Sequence, residues 1–279
     1  MLNEQQLEDL CLGWFQETGW RFAHGPDIAP DSSAPERTDY RQVVLRERLL
    51  RALARINPHL PPAALEQAAD ALQCLSEPQL VLRNRSSHRL LLNGVMVEFT
   101  VGDKKKTDLV HFIDFAQPGH NDFLVVNQFT ITGTRQPRRP DVIAFVNGLP
   151  LAVLELKNPA NEQTDVWDAF HQLQTYKDEI GDLFSTNAAL VVSDGWTARV
   201  GSLTANAERM LPWRTLTSED DRPQLQMELE TVVRGFFKPE LFLDYLRHFV
   251  LRFAELLSDR LGRDTIMRAM NGSPDDYEL

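Results

Sequence analysis

The chain has 279 residues, of which 43% are hydrophobic and 25% are charged, the composition of a globular protein large enough to bury a sizeable core. No apolar run approaches the roughly 20 residues that span a bilayer, the N-terminus does not resemble a signal peptide, and Cys11 and Cys74 are too few for a disulfide framework. We therefore expect a cytoplasmic protein with both cysteines reduced and buried, and the net charge of −11 argues against a surface that attracts polyanions everywhere.

Three helices are predicted in the N-terminal third, each from apolar residues at helical spacing: residues 3–18, 39–56 and 63–75. Gly19 ends the first helix, and residues 24–36, which are rich in Pro, Asp and Ser, form a loop before the second. Asn57-Pro58 and Pro61-Pro62 separate the second helix from the third, because proline disrupts a helix interior but suits the first turn.

The middle of the chain is predicted to be rich in strands, at residues 90–99, 109–115, 123–131, 142–146, 151–156 and 188–192. Asn93-Gly94 and Asn147-Gly148 are hairpin signals. The fourth and fifth of these strands are apolar at almost every position, which is typical of strands covered on both faces. A helix predicted over residues 162–180 stands between strands, and this order predicts an α/β fold with helices against a sheet.

The character of the chain changes after residue 215. An acidic stretch is followed by a helical pattern whose strong apolar face includes Phe242 and Tyr245. We therefore predict two parts, a domain over residues 1–215 and a helical extension over residues 216–279.

Charged residues at the end of the predicted strand 151–156 are the strongest candidates for chemistry. Glu155 and Lys157 are two apart, so on a strand their side chains point to one face. Asp141 opens the neighbouring strand and can supply a second carboxylate. Charged groups at the end of a buried strand are costly unless they are paired or functional, and a purely structural ion pair between Glu155 and Lys157 is the alternative interpretation.

The hairpin decides whether Asp141 reaches the same face as Glu155. A regular two-residue loop at Asn147-Gly148 would pair Asp141 with Leu154, on the wrong side of the sheet. An odd-length loop or a β-bulge would bring Asp141 to the face of Glu155. The sequence therefore predicts one of these two irregularities in the hairpin.

These residue types fit metal-dependent hydrolysis of a phosphodiester. Mg²⁺ prefers hard oxygen ligands, which the carboxylates of Asp141 and Glu155 would provide, and it would acidify a bound water and neutralise developing charge. Lys157 would position or deprotonate the attacking water, or stabilise the transition-state charge. Another acid–lysine run, Asp103-Lys104-Lys105, is not embedded in an apolar strand, and we interpret it as a solvated turn.

Gln172 and Tyr176 form a second candidate feature on the predicted helix 162–180. They are four residues apart and therefore share one helical face. A tyrosine that caps the core is one interpretation. The other is a pair that reaches towards the metal site or a DNA phosphate.

Basic residues gather in four places that could offset the acidic net charge locally. Each cluster is either a solvated face or part of a DNA footprint. The clusters are Arg46/Arg48/Arg51/Arg55, Arg83/Arg85/His88/Arg89, Lys104-Lys105-Lys106 and Arg135/Arg138/Arg139.

The chain resembles a known family at these candidate residues. The segment from Arg139 to Pro159, RPDVIAFVNGLPLAVLELKNP, closely resembles the nuclease segment of the restriction (R) subunit of type I restriction-modification enzymes. The likeness extends over roughly residues 1–215. Further matching motifs are Asn57-Pro58, Asn127-Gln128-Phe129, Ser193-Asp194-Gly195 and Ala198-Arg199-Val200-Gly201.

The resemblance implies a PD-(D/E)xK nuclease-like fold, a mixed central sheet flanked by helices with a C-terminal helical appendage. It implies cleavage of double-stranded DNA with Mg²⁺, or Mn²⁺ in its place, at Asp141, Glu155 and Lys157. Gln172 and Tyr176 match the family's QxxxY motif, whose residues lie near the nuclease centre. Auxiliary or DNA-contacting roles are also implied at two further positions, Arg139 and Glu8. Glu8 matches an acid that some nucleases of this fold place beside the metal, with a solvated helix charge as the alternative.

The resemblance also implies partners. In the family, recognition and methylation belong to separate specificity and methyltransferase subunits, and an ATP-driven motor follows the nuclease. These 279 residues contain no G-x-x-x-x-G-K-[ST] phosphate loop. We therefore expect ATP to serve only a motor outside this chain, and we expect the chain itself to be a piece or a shortened form of the subunit. The alternatives are a non-catalytic DNA-contacting or docking module of the same fold, and an unrelated α/β protein with a chance ion pair.

Overall fold

The computed structural model describes residues 3–157, 165–216, 227–248 and 250. Its helices are α1 (Glu4–Glu17), α2 (Arg46–Ile56), α3 (Pro62–Gln73), α4 (Leu80–Asn93), α5 (Val166–Glu179), α6 (Glu228–Thr231) and α7 (Pro239–His248). Its strands are β1 (Arg21–His24), β2 (Val95–Val101), β3 (Lys104–Val110), β4 (Phe123–Asn127), β5 (Ile131–Thr132), β6 (Pro137–Arg138), β7 (Val142–Val146), β8 (Leu149–Leu156), β9 (Ala189–Ser193) and β10 (Ala198–Gly201).

Six strands form the central sheet in the order β1-β4-β7-β8-β9-β10. The pairs β1–β4 and β8–β9 are parallel, whereas β4–β7, β7–β8 and β9–β10 are antiparallel. The strands β2 and β3 form one separate antiparallel ribbon, and β5 and β6 form another. The predicted α/β fold with a mixed sheet flanked by helices is therefore confirmed.

Both faces of the central sheet are buried. Successive side chains of a strand point to opposite sides, so each strand contributes to two cores. Ile143 and Val153 face a core that α5 covers. Val142 and Leu154 face a larger core beneath α1, α2 and α3. This double burial explains why β7 and β8 are apolar at nearly every position, as expected from the sequence.

The second helix begins at Arg46 rather than at residue 39, so the first part of that prediction is wrong. The N–H of Leu45 donates to the carbonyl oxygen of Gly148, in the turn between β7 and β8, over 2.9 Å. A side chain at Gly148 would have no space, since a Cβ there would lie 2.4 Å from the carbonyl oxygen of Leu45. The segment before α2 is thus held by the β7–β8 turn instead of by helical hydrogen bonds.

The predicted strand over residues 90–99 is also wrong in its first half, where α4 occupies the chain. Gly94 adopts a φ of +75° at the end of α4, and its N–H donates to the carbonyl oxygen of Leu90 over 2.8 Å. Asn93-Gly94 therefore ends a helix. The actual hairpin turn is at Gly102 and Asp103, between β2 and β3, so the solvated turn predicted at Asp103-Lys104-Lys105 is confirmed for Asp103, while the two exposed lysines open β3.

Residues 227–248 pack on the core beneath α1. Phe237 and Phe242 lie against Trp20, whose ring centroid is 6.0 Å from the first and 5.8 Å from the second. The helical pattern predicted here is confirmed for these residues, while residues 217–226, 249 and 251–279 lie outside the described part. The division at 215/216 stays a prediction.

Cys11 is buried as expected, but Cys74, at the end of α3, is exposed, which corrects the prediction for that residue. Within the described part of the chain, no helix is both long and apolar enough to cross a bilayer.

His88 makes the stability of the fold depend on pH. Its Nε2 lies 2.9 Å from the carbonyl oxygen of Asn187, and burial lowers the pKa of the ring to about 4. Because the unfolded chain takes up this proton near pH 6.5 and the folded chain does not, the free energy of unfolding falls as the pH drops from 6.5 to 4. At pH 5 this loss is about 2 kcal/mol.

We expect a His88→Gln variant, which keeps a hydrogen-bond donor but does not titrate, to lack this part of the pH dependence. Urea unfolding at pH 7 and pH 5 measures it. An exposed-histidine control, His111→Gln, should behave like the wild type, and an unchanged pH dependence in His88→Gln would contradict the assignment.

Candidate active site

A bulge in the β7–β8 hairpin brings the two acids together. The hairpin turn has two residues, but the register then shifts so that Leu151 is an extra residue in β8. Val142 consequently pairs with Leu154, and one step further Asp141 lies opposite Glu155. Without the extra residue, Asp141 would pair with Leu154 and face the other core. The predicted irregularity is confirmed in the form of a bulge.

The two carboxylates are buried side by side at the end of the sheet. Asp141 is 9% exposed and Glu155 is fully buried. Burial raises the pKa of Asp141 to about 7, against an opposing hydrogen bond of 2.7 Å from the N–H of Leu156 to Oδ2. Burial, and next the charge of Asp141, raise the pKa of Glu155 well above its usual range. Two carboxylates in this position favour a nearby cation.

Lys157 is held on the same face by a chain of hydrogen bonds. Its Nζ donates to Oε1 of Glu155 over 3.1 Å and to Oε1 of Gln172, on α5, over 2.7 Å. Nε2 of Gln172 in turn donates to the hydroxyl of Tyr176 over 2.5 Å. The Gln172–Tyr176 pair therefore reaches the candidate site, and Tyr176 is at the same time a buried member of the core under α5.

Glu8 is buried, so its interpretation as a solvated helix charge is wrong. It is 3% exposed, and its carboxylate accepts hydrogen bonds of 2.7 Å from Nδ2 of Asn127 and from Nε2 of Gln128. Asn127 pairs with Val142, whose side chain points to the core beneath α1. After burial, the charge of Glu8 also helps to raise the pKa of Asp141, and a place for Glu8 beside a metal stays a prediction.

Arg139 is exposed, two residues before Asp141. Its neighbour Arg138 forms an ion pair with the buried Glu179, near the end of α5. Sequence reasoning did not identify Glu179, or the amides of Asn127 and Gln128 as partners of Glu8. The Asn127-Gln128 motif was visible only as a likeness to the family.

The donor set fits a divalent cation. Oε2 of Glu155 is buried and has no hydrogen-bond partner among the described residues, although an unpaired buried carboxylate oxygen is costly. Asp141 and Glu155 are the residues that would hold the ion. No group of three or more His, Cys, Asp or Glu residues in the described ranges is arranged to hold a metal, and two carboxylates are the usual protein contribution to a Mg²⁺ site completed by water and phosphate.

The sheet and its bulged hairpin are compatible with a PD-(D/E)xK-like nuclease fold. Residues 1–209 match the family described as type I restriction enzyme R protein N terminus. The chain belongs to this family, which confirms the resemblance seen in the sequence.

Two curated relatives show the extent of the likeness. The chain is 41% identical over 254 residues to the type I restriction enzyme HindI endonuclease subunit of Haemophilus influenzae, covering 90% of this chain and 24% of that protein. It is 30% identical over 270 residues to the "Putative type I restriction enzyme MjaIXP endonuclease subunit" of Methanocaldococcus jannaschii, covering 90% of this chain and 26% of that protein. The chain therefore spans about a quarter of the length of these relatives.

Without a bound cation, the buried negative charge of Asp141 should lower the free energy of unfolding. The pKa of Asp141 is about 7 in the folded chain and near 3.8 ordinarily, so the folded state binds more protons between these pH values. The free energy of unfolding therefore falls as the pH rises from 4 to 7. In chelator at pH 8, we expect Asp141→Asn to be more stable than the wild type by about 2–4 kcal/mol.

Denaturant unfolding at pH 8 and pH 4 measures this difference, which should shrink at the lower pH because the acid is then protonated in the folded state and partly protonated in the unfolded state. The control is Asp103→Asn, at the exposed β2–β3 turn. Equal stabilisation by both substitutions would show that burial of Asp141 is not the cause.

Proposed function

We propose that this domain is a Mg²⁺-dependent endonuclease that hydrolyses phosphodiester bonds of double-stranded DNA, the nuclease of a type I site-specific deoxyribonuclease. One observation carries the proposal. The buried carboxylates of Asp141 and Glu155 lie opposite each other, and one oxygen of Glu155 has no hydrogen-bond partner among the described residues. Family membership supports the nuclease class.

Asp141 and Glu155 would hold Mg²⁺, or Mn²⁺ in its place, which supplies Lewis-acid stabilisation of the charge that develops on the phosphodiester. The hydrogen bond from the N–H of Leu156 fixes the Asp141 carboxylate, at 2.7 Å. The ion pair with Lys157 fixes one oxygen of Glu155 and leaves the other available. Both acids would therefore enter the reaction already oriented.

Lys157 would stabilise the transition state or position the attacking water. Its Nζ donates to the side-chain oxygen Oε1 of Gln172 over 2.7 Å, which restricts the ammonium to the face of Glu155. Tyr176 accepts from the amide of Gln172, so the amide presents its oxygen, not its nitrogen, to Lys157. Gln172 and Tyr176 are thus positioning residues that act through the lysine.

The proposal assigns the remaining functions to other chains or segments. Sequence recognition and methylation would belong to specificity and methyltransferase subunits, and ATP-driven translocation to the longer R protein of which this chain spans a part. The complex would act in the cytoplasm. An acidic domain of net charge −11 fits this arrangement, because the motor and partner subunits would contribute grip on DNA.

The nuclease proposal is tested by nicking of supercoiled plasmid with Mg²⁺. We expect the wild type to nick and Lys157→Ala to be slower by about 100-fold or more, since a preorganised charge at the reacting phosphate is lost. Lys104→Ala, which removes an exposed lysine of β3, should nick like the wild type. Equal nicking by the wild type and Lys157→Ala would show a contaminant or a different site.

Metal binding is tested separately by calorimetric titration with Mn²⁺. We expect a binding signal in the wild type that falls at least tenfold in affinity in Asp141→Ala, because one of two protein ligands is removed. Unchanged binding in the variant would contradict the assigned ligands. Binding that depends on Asp141 without any nicking would favour the alternative, a DNA-contacting or docking module that is inert without its partners.

A further inference from the structure

The basic cluster on α2 is engaged within the fold. Arg46 contacts Glu66 at 2.5 Å and Asp70 at 2.7 Å. Arg48 forms an ion pair with Glu36 and is 3.2 Å from a carboxylate oxygen of Asp122. Two of the four arginines of this cluster are therefore paired with acids, and the other two donate to backbone carbonyl oxygens.

The arginine cluster on α4 lies away from the candidate active site. Arg83, on α4, is 3.1 Å from Asp182, and Asn84 donates to the carbonyl oxygen of Phe184, which places α4 beside the connection entering β9. This connection is at the opposite end of the sheet from Glu155. In the lysine cluster, on the β2–β3 ribbon, Lys105 contacts Glu98 at 2.7 Å.

The fourth cluster lies on the β5–β6 ribbon, directly before the candidate active site. The chain runs from β6 through Arg139 to Asp141. The side chain of Arg135, at the connection between β5 and β6, is 81% exposed, and Arg139 is exposed as well. Three arginines against one buried acid leave the ribbon with positive charge.

Glu179 fixes this ribbon on α5. Its side chain is 6% exposed, forms the ion pair with Arg138 and lies 3.8 Å from Arg135. Its carbonyl oxygen accepts from the N–H of Thr134 over 3.0 Å. Gly133 packs so closely that a Cβ there would lie 2.3 Å from the same oxygen.

The helix that holds the ribbon also holds the lysine of the candidate site. Gln172 and Glu179 are both on α5, the first bonded to Lys157 and the second to Arg138. The ribbon and the ammonium of Lys157 are therefore fixed relative to one rigid element. The exposed basic ribbon is therefore held at a fixed position beside the two acids. Contacts of this kind with phosphates fix the position of a polyanion relative to the protein.

We propose that the β5–β6 ribbon binds the phosphate backbone of duplex DNA beside the active site, with Arg135 and Arg139 as the contacting residues. Arg138 and Glu179 are the positioning pair that sets the ribbon on α5. The choice of DNA as the polyanion rests on the proposed function. The ribbon gives this acidic chain a local site for phosphate where the overall charge would repel it.

The test is fluorescence anisotropy with a short labelled DNA duplex, in chelator to prevent cleavage, at several salt concentrations. We expect the double variant Arg135→Ala/Arg139→Ala to bind about tenfold more weakly or worse. The slope of log affinity against log salt should decrease by about 1.8, since two phosphate contacts are lost. The matched control is Arg51→Ala/Arg89→Ala, which removes two exposed arginines from α2 and α4 and changes the net charge equally.

The outcomes separate the ribbon from the nuclease. Equal loss of affinity in both double variants, no loss in either, or no duplex binding by the wild type at low salt would each overturn the ribbon assignment. If the ribbon variant binds normally while nicking still depends on Lys157, the ribbon is wrong and the nuclease stands. If binding depends on the ribbon but the wild type does not nick, the DNA surface stands and the nuclease fails.

Discussion

The candidate site depends on a single extra residue in one strand. Because side chains alternate along a strand, one inserted residue moves every following position to the opposite face. Leu151 is this residue, and it is what places Asp141 and Glu155 on the same side of the sheet. The residues of β8 before the bulge are apolar and can pack against either core. The extra residue therefore does not turn a charged side chain into a core.

The helix α5 organises what the hairpin brings together. It covers one face of the sheet with apolar side chains, and its Gln172 and Tyr176 reach the candidate site. Gln172 orients Lys157 and Glu179 holds the neighbouring ribbon. Burial of one helix face therefore fixes the position of groups that are far apart in sequence, which is how a fold holds charged side chains in costly surroundings.

The sequence was most informative where burial alone decides structure. The strand β7 was predicted at its observed bounds because a short run that is apolar on both faces has few alternatives. The same reasoning singled out the acids and the lysine, whose catalytic role stays a prediction, and the parity of the strand predicted either an odd-length loop or a bulge, of which the bulge is observed.

Long-range contacts explain what was missed. The helix α4 was overlooked because Leu90 and its neighbours join the apolar residues of β2 into one run, and only contacts of Asn84 and His88 with the β8–β9 connection distinguish the two elements. The short strand β1 pairs with β4 about a hundred residues away, so no local pattern indicates it. Burial of Glu8 depends equally on distant amides.

The aromatic packing of residues 227–248 has a consequence for dividing the protein. Trp20 donates its indole N–H to the carbonyl oxygen of Phe237 over 2.7 Å, and Phe15 lies 4.9 Å from the ring of Phe237. A fragment cut at residue 215 would leave the aromatic wall behind α1 open to water, beside the edge strand β1. We therefore expect residues 227–248 to stabilise the α1 side of the core, although no residue among them is a candidate for the chemistry.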